Sequence, residues 1–126
     1  MNAVDTNVVV RVLLRDDPVQ AEIADAFVAG GAWISHLVLI ETIWVVRKQR
    51  DHAATVGAVD MLLEHEHFVI QESRVVAEAL NLYRDRPAVS FSDCLILATA
   101  RQAGHLPLAT FDFALSRLPG TARLGR

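Results

Sequence analysis

Apolar and polar positions along the chain follow two periods in alternation. Short apolar runs at Met1 to Asp5, Ala32 to Ser35, Phe68 to Gln71 and Leu106 to Thr110 read as strands, and a last short strand is expected at Ala122 to Leu124. Between them the spacing turns helical. Thr6 to Arg15 carries apolar residues on most sides, and Val19 to Ala29 places Ile23, Ala24, Phe27 and Val28 at helical intervals. Further helices are predicted over His36 to Arg50, about Ala53 to Glu64, from a Ser73 cap to about Arg84, and from Ser90 to Ala103. Punctuation supports these bounds. Asp16-Asp17-Pro18 stops one helix and starts the next, Gly30-Gly31 and Gly104 end helices, Pro87 closes another region, and Ser35 is placed to cap the helix that follows it. Strands alternating with helices predict a three-layer α/β fold, with a mainly parallel central sheet of about five strands flanked by helices. No repeat, linker or low-complexity tract divides the chain, so one domain over residues 1–126 is expected.

Composition narrows this picture. With 52% apolar and 21% charged residues the chain has ample core material, and aromatics supply only 6%, so Val, Leu, Ile and Ala must do the packing. The single cysteine, Cys94, excludes an intrachain disulfide framework and fits a reducing compartment. Asp5 and Arg11 interrupt the first apolar stretch, so no secretory signal is read there. The longest apolar run, Leu37 to Val46, is broken by Glu41 and Thr42 and is far shorter than the roughly 20 residues a bilayer needs. A cytoplasmic protein with no membrane partner is expected.

Four acids stand where a fold has little use for them. Asp5 ends the first strand, at an edge where open α/β sheets bind ligands, although a cap for the helix beginning at Thr6 explains it equally well. Glu41 has Leu37, Val38, Trp44 and Val45 as its helical neighbours. That surrounding predicts a buried carboxylate, which needs an arginine, a proton or a metal to compensate it. Asp93 lies in Ser90-Phe-Ser-Asp93, which also matches a capping box. Asp112 follows a strand in Thr110-Phe-Asp112 and can equally cap a short helix toward Leu118.

Two of these acids lie past strand ends and two in the opening turns of helices, places that share one edge of a parallel sheet. Converging carboxylates repel one another and are tolerable around hard cations, and oxygen-only ligation selects Mg²⁺ or Mn²⁺ over zinc. Such a cluster suits phosphodiester hydrolysis, in which bound cations activate water and stabilise the leaving oxygen. Net charge is −3, but taking those four from the 15 acids leaves 11 against 12 Lys and Arg. Eleven of the 12 cations are Arg, the side chain best matched to phosphate, so an RNA partner is compatible with the balance.

The same residues carry a family resemblance. Asp-Thr-Asn after the first strand, Ile-Ser-His-Leu-Val-Leu-Ile-Glu, Phe-Ser-Asp-Cys-Leu-Ile-Leu-Ala-Thr-Ala and Leu-Ala-Thr-Phe-Asp resemble, in order, the four acidic segments of the PIN-domain family. The likeness runs from the first strand to Asp112 and is similar in length to the VapC-like toxins of type II toxin–antitoxin pairs. It implies a PIN-like fold and an endoribonuclease dependent on Mg²⁺ or Mn²⁺. Asp5, Glu41, Asp93 and Asp112 would hold the metal, with Asn7 and Thr110 as supporting polar residues. It also implies RNA as substrate, a homodimer, and a cognate VapB-like antitoxin. Cys94 stands where the pattern more often has alanine, a change that leaves the four acids intact.

Other features rank lower. The five histidines offer no helical metal pair, and Glu64-His-Glu-His67 reads as a solvated helix end. Cys94 reads as a small buried hydrophobe without a lowered pKa. Trp33 and Trp44 sit in apolar runs and are assigned to the core. Arg11 and Arg15 form a four-spaced basic pair that faces RNA, an antitoxin or solvent. The apolar surplus around Val8, Val9, Val10 and Leu13 predicts a dimer or antitoxin surface. A receiver-like signalling or binding domain requires an acid pair after the first strand and a lysine after the last, and the chain's lysine is Lys48. A dehalogenase-like phosphatase requires a second acid where Asn7 stands. A PIN nuclease of RNA processing, outside any toxin–antitoxin pair, is the alternative that fits the same residues.

Overall fold

The first strand is short, and the acid that follows it caps a helix. In the computed structural model, which describes residues 1–125, strand β1 (Asn2–Ala3) pairs in parallel with β2 (Ala32–Ile34), and β2 pairs in parallel with β3 (Phe68–Ile70). The Val4 N–H donates to Trp33 O at 3.1 Å, one more bond on the ladder. Asp5 then turns the chain into α1 (Thr6–Leu14), its carboxylate accepting from the Val8 N–H at 3.3 Å. Helix α1 ends at Arg15 in the left-handed conformation. Asp17 caps α2 (Pro18–Val28) with proline in its first turn, and Ser35 caps α3 (His36–Gln49) through the Val38 N–H at 3.2 Å. Asp51 does the same for α4 (His52–Glu64).

These elements form a compact unit, Met1–Ser73. Helix α1 packs on α2 and α3, α3 on α4, and α4 on β3. Val9, Ile34, Leu39, Val59 and Leu62 are fully buried, each side chain contributing about 1.5–3 kcal/mol by leaving water. Thr42 and Thr55 share this interior without strain, because their hydroxyls donate back to Val38 O and Asp51 O at 2.7 and 2.8 Å.

A second compact unit begins at Arg74. It holds most of α5 (Ser73–Arg84), then α6 (Phe91–Ala103), β4 (Leu108–Thr110), α7 (Phe113–Ser116) and β5 (Thr121–Arg123). Val75, Val76, Ala79, Leu80 and Tyr83 make the buried stripe of α5, and Phe91, Cys94, Leu95, Leu97 and Ala98 that of α6. Tyr83 meets Phe91 edge to face, with ring centroids 5.7 Å apart. Arg101 ties α6 to Glu78 of α5 at 2.8 Å. Strands β4 and β5 pair in parallel, Leu108 opposite Thr121.

The described residues thus form an α/β fold of seven helices and five strands, all parallel. This is the expected fold class, with the five strands divided into one sheet of three and one of two. One expectation needs correction. Ser73 is the first residue of α5, not the residue capping it, and Glu72 before it has a φ of 45°. Among the described residues no helix is long and apolar enough to cross a membrane.

Candidate functional site

Asp5 and Glu41, 36 positions apart, open onto the same cavity. It has a volume of about 400 Å³ and is lined by Asp5, Thr6, Asn7, Val10, Glu41 and Val45. The packing of α1 on α3 brings them there, with Val9 and Val10 of α1 and Leu39, Ile43 and Val46 of α3 taking the buried positions. Both carboxylates and the Asn7 amide are exposed. One oxygen of Asp5 caps α1, as foreseen, and the residue lines a cavity that Glu41 also lines.

Glu41 corrects an expectation. It is exposed, not buried, because it lies on a stripe of α3 that nothing in its own unit covers: Leu37, Glu41, Trp44 and Lys48, spaced by three or four residues. Trp44 on that stripe is 64% exposed, which removes it from the core to which its apolar run assigned it. The Lys48 ammonium lies 3.5 Å from the Trp44 ring centroid, so its charge is spent on the indole face. Trp33 is half-buried in β2.

The other two acids sit in the second unit. Asp93 is half-buried in the first turn of α6, and its N–H donates to the Ser90 hydroxyl at 3.1 Å, the forward half of the foreseen capping box. Among the described residues its carboxylate receives no bond from Ser90 in return. Asp112 is exposed and caps α7, accepting from the Leu115 N–H at 2.8 Å. Thr110 ends β4 and accepts the Asp112 N–H on its hydroxyl at 3.0 Å, which steadies the turn presenting that acid.

None of the four acids makes an ion pair among the described residues, in contrast to Asp16, Asp25 and Glu78. The compensating arginine expected of a purely structural carboxylate is absent from each. Among the described residues no group of three or more His, Cys, Asp or Glu side chains is close enough to hold a metal ion. The grouping present is the pair Asp5 and Glu41. Both line one cavity, and carboxylates of this kind would offer oxygen donors to a hard divalent ion if one bound there.

Arg11 and Arg15 are claimed locally. Arg11 donates to Asp16 at 3.0 Å and to Gln20 at 2.6 Å, and Arg15 grips Asp25 with two bonds of 2.7 and 3.0 Å. That contact holds the Asp25 carboxyl below its ordinary range and the Arg15 guanidinium above its own. Cys94 is fully buried, and burial, with Asp93 adding to it, pushes its thiol up to about 11. His67 donates its N–H to His65 Nδ1 at 3.0 Å and its ring lies 3.9 Å from Glu66, in keeping with a solvated helix end.

Sequence reading missed Phe111 and Phe113, which flank Asp112 and are 77% and 59% exposed. Helix α7 is a single turn, too short for periodicity to reveal its exposed side. The available signal was the triplet Phe-Asp-Phe followed by Arg117 and Arg123.

The PIN domain family matches residues 3–120, and the chain belongs to that family. The match spans all four acids together with Asn7 and Thr110. PIN domains are generally metal-dependent nucleases that bind Mg²⁺ and act on nucleic acid. No curated protein and no solved structure gives a match.

Proposed function

We propose that this protein is an endoribonuclease dependent on Mg²⁺ or Mn²⁺ that serves as the toxin of a toxin–antitoxin pair in the cytoplasm. The observation carrying the reading is the shared cavity of Asp5 and Glu41, two exposed carboxylates from separate helical segments with no cationic side chain paired to either. Asp93 and Asp112 complete the metal-holding set in this proposal, and Asn7 and Thr110 support it. A divalent cation bound to such carboxylates lowers the pKa of water and offsets charge developing on a phosphodiester. The chain's own contributions are distinct from that. Caps fix Asp5 and Asp112 at helix N-termini, Thr110 anchors the Asp112 turn, and Asn7 presents an amide to the same cavity as Asp5.

The toxin role is favoured by exposed apolar surface. Val19, Ile23 and Phe27 of α2 and Leu37 and Trp44 of α3 are 50–71% exposed. A cavity of about 460 Å³ between α1 and α2 is lined by Ala3, Val4, Val8, Ile23, Ala24 and Phe27 among others. Surfaces of this kind suit the homodimer and the antitoxin of the proposal.

The test is cleavage of RNA by purified protein with and without Mg²⁺, beside growth of a bacterium in which the chain is induced. Wild type should cleave only with the metal and arrest growth. Asp5→Asn and Asp93→Asn should do neither, with no loss of thermal stability in chelator, since each relieves carboxylate repulsion. Retained cleavage by Asp93→Asn overturns the four-carboxylate mechanism; cleavage without growth arrest leaves a nuclease of RNA processing.

A further inference from the structure

Six of the chain's arginines form a contrast. Arg11, Arg15 and Arg101 are bonded to Asp16, Asp25 and Glu78. Arg86, Arg117 and Arg123 are exposed and make no ion pair among the described residues. Two of them lie against one ring, and Arg86 lines a cavity with it. The guanidinium carbons of Arg123 and Arg117 lie 5.0 and 5.9 Å from the Phe113 centroid. Phe113 and Arg117 also line a cavity of about 760 Å³ together with Asp85, Arg86, Pro87 and Val89. The ring nevertheless stays 59% exposed, and Phe111 beside it is 77% exposed.

An exposed phenyl costs solubility and an unpaired arginine forgoes a partner, so their coincidence calls for a ligand offering both an aromatic face and negative charge. An acidic peptide would need an aromatic side chain beside its carboxylates to do the same, and an inorganic anion gives Phe113 no role. An unpaired nucleotide supplies both: its base stacks on a phenyl in any sequence, and its phosphates meet guanidinium. A duplex hides its base faces and is a poor match.

We infer that Phe113, with Arg86, Arg117 and Arg123, forms a binding platform for single-stranded nucleic acid beside Asp112. The base stacks on Phe113 and the flanking phosphates are held by the arginines, while Asp85 and Asp112 limit how far the strand spreads. This inference deepens the nuclease reading and rests on it for the choice of a nucleic-acid strand.

The test is fluorescence anisotropy of the full chain in chelator, where cleavage plays no part. The probes are a labelled 20-nucleotide uridine-rich RNA, the DNA of the same sequence, and the RNA annealed to its complement. Phe113→Leu should weaken binding of at least one single strand by about 5- to 150-fold, and Phe113→Trp should restore it. Arg117→Gln and Arg123→Gln should each lower the slope of log affinity against log salt by about 0.7, with Arg15→Gln leaving it unchanged. RNA and DNA arms decide which strand is preferred, and either preference supports the platform. Three results overturn it: no binding of either single strand, unchanged binding by Phe113→Leu, or an equal loss for the duplex. A surface built for a protein partner gives the second of these. Ring-dependent binding without Mg²⁺-dependent cleavage in a parallel assay refutes the nuclease reading alone. Cleavage lost in Asp5→Asn, with binding indifferent to Phe113, refutes the platform alone.

Discussion

Helix α1 has two charged sides with opposite fates. On one, Arg11 and Arg15 are each bonded to acids at or within α2, so the chain neutralises its own charge. On the other, Asp5 shares a cavity with Glu41 and neither meets a cation among the described residues. The first side is spent on structure, and exposed pairs of this kind stabilise little. The second keeps its charge available. Net charge of the whole chain, −3, says nothing about this division, because what matters is which charges already have partners.

The largest effect should come from the unpaired side. Asp5→Asn keeps the cap on the Val8 N–H, since Asn caps as well as Asp, but removes the charge. RNA cleavage should fall at least about a hundredfold, the scale seen when one electrostatic contact to a developing charge is removed. Asp5→Ala should lose the same activity and, through the missing cap, about 1 kcal/mol of stability in urea melts. Equal stability of the Asn and Ala variants would show that the cap contributes nothing.

Caps in general were the legible part of this chain. Asp5, Ser35, Ser90 and Asp112 each precede a helix, and their short side chains bond the N–H three residues on, a decision made within one turn. Burial was less legible. Apolar neighbours around Glu41 implied an interior helix, yet whether Leu37 and Trp44 are covered depends on elements far away in sequence. The division of the strands into sheets of three and two was not legible for the same reason, since strand pairing is a long-range property and a three-residue strand does not encode its neighbour. The acids themselves were readable as unusual from their neighbours in sequence, whereas the Phe111 and Phe113 pair lay outside any periodic pattern.

A middle-sized effect belongs to the helix that carries Glu41. Ser35→Ala removes the acceptor of the Val38 N–H and should cost about 1 kcal/mol, read as a lower urea midpoint with unchanged slope. Cleavage should persist under conditions where the fold holds, because Ser35 does not line the cavity of Asp5 and Glu41. Smaller still is Trp44→Gln on the exposed stripe of the same helix. Stability of dilute protein should move by no more than about 0.5 kcal/mol, as for surface positions generally. A loss near 3 kcal/mol, typical of a core tryptophan, contradicts the exposure of that stripe.

The smallest effect should be on the self-neutralised side, and its pH dependence identifies it. Bonding to Arg15 holds the Asp25 carboxyl below its ordinary range, so the folded state keeps the charged form to lower pH than the unfolded chain does. The pair's contribution is therefore present at neutral pH and is lost as pH falls through the lowered value of the folded state. Asp25→Asn lacks that contribution at every pH. The difference in melting temperature between wild type and Asp25→Asn should be small and positive at pH 7, shrink in high salt, and vanish once the medium is acidic enough to protonate Asp25 in both states. A difference that persists unchanged into strong acid assigns the effect to packing of the Asp25 side chain on α2, and the contrast between the two sides of α1 then no longer rests on charge.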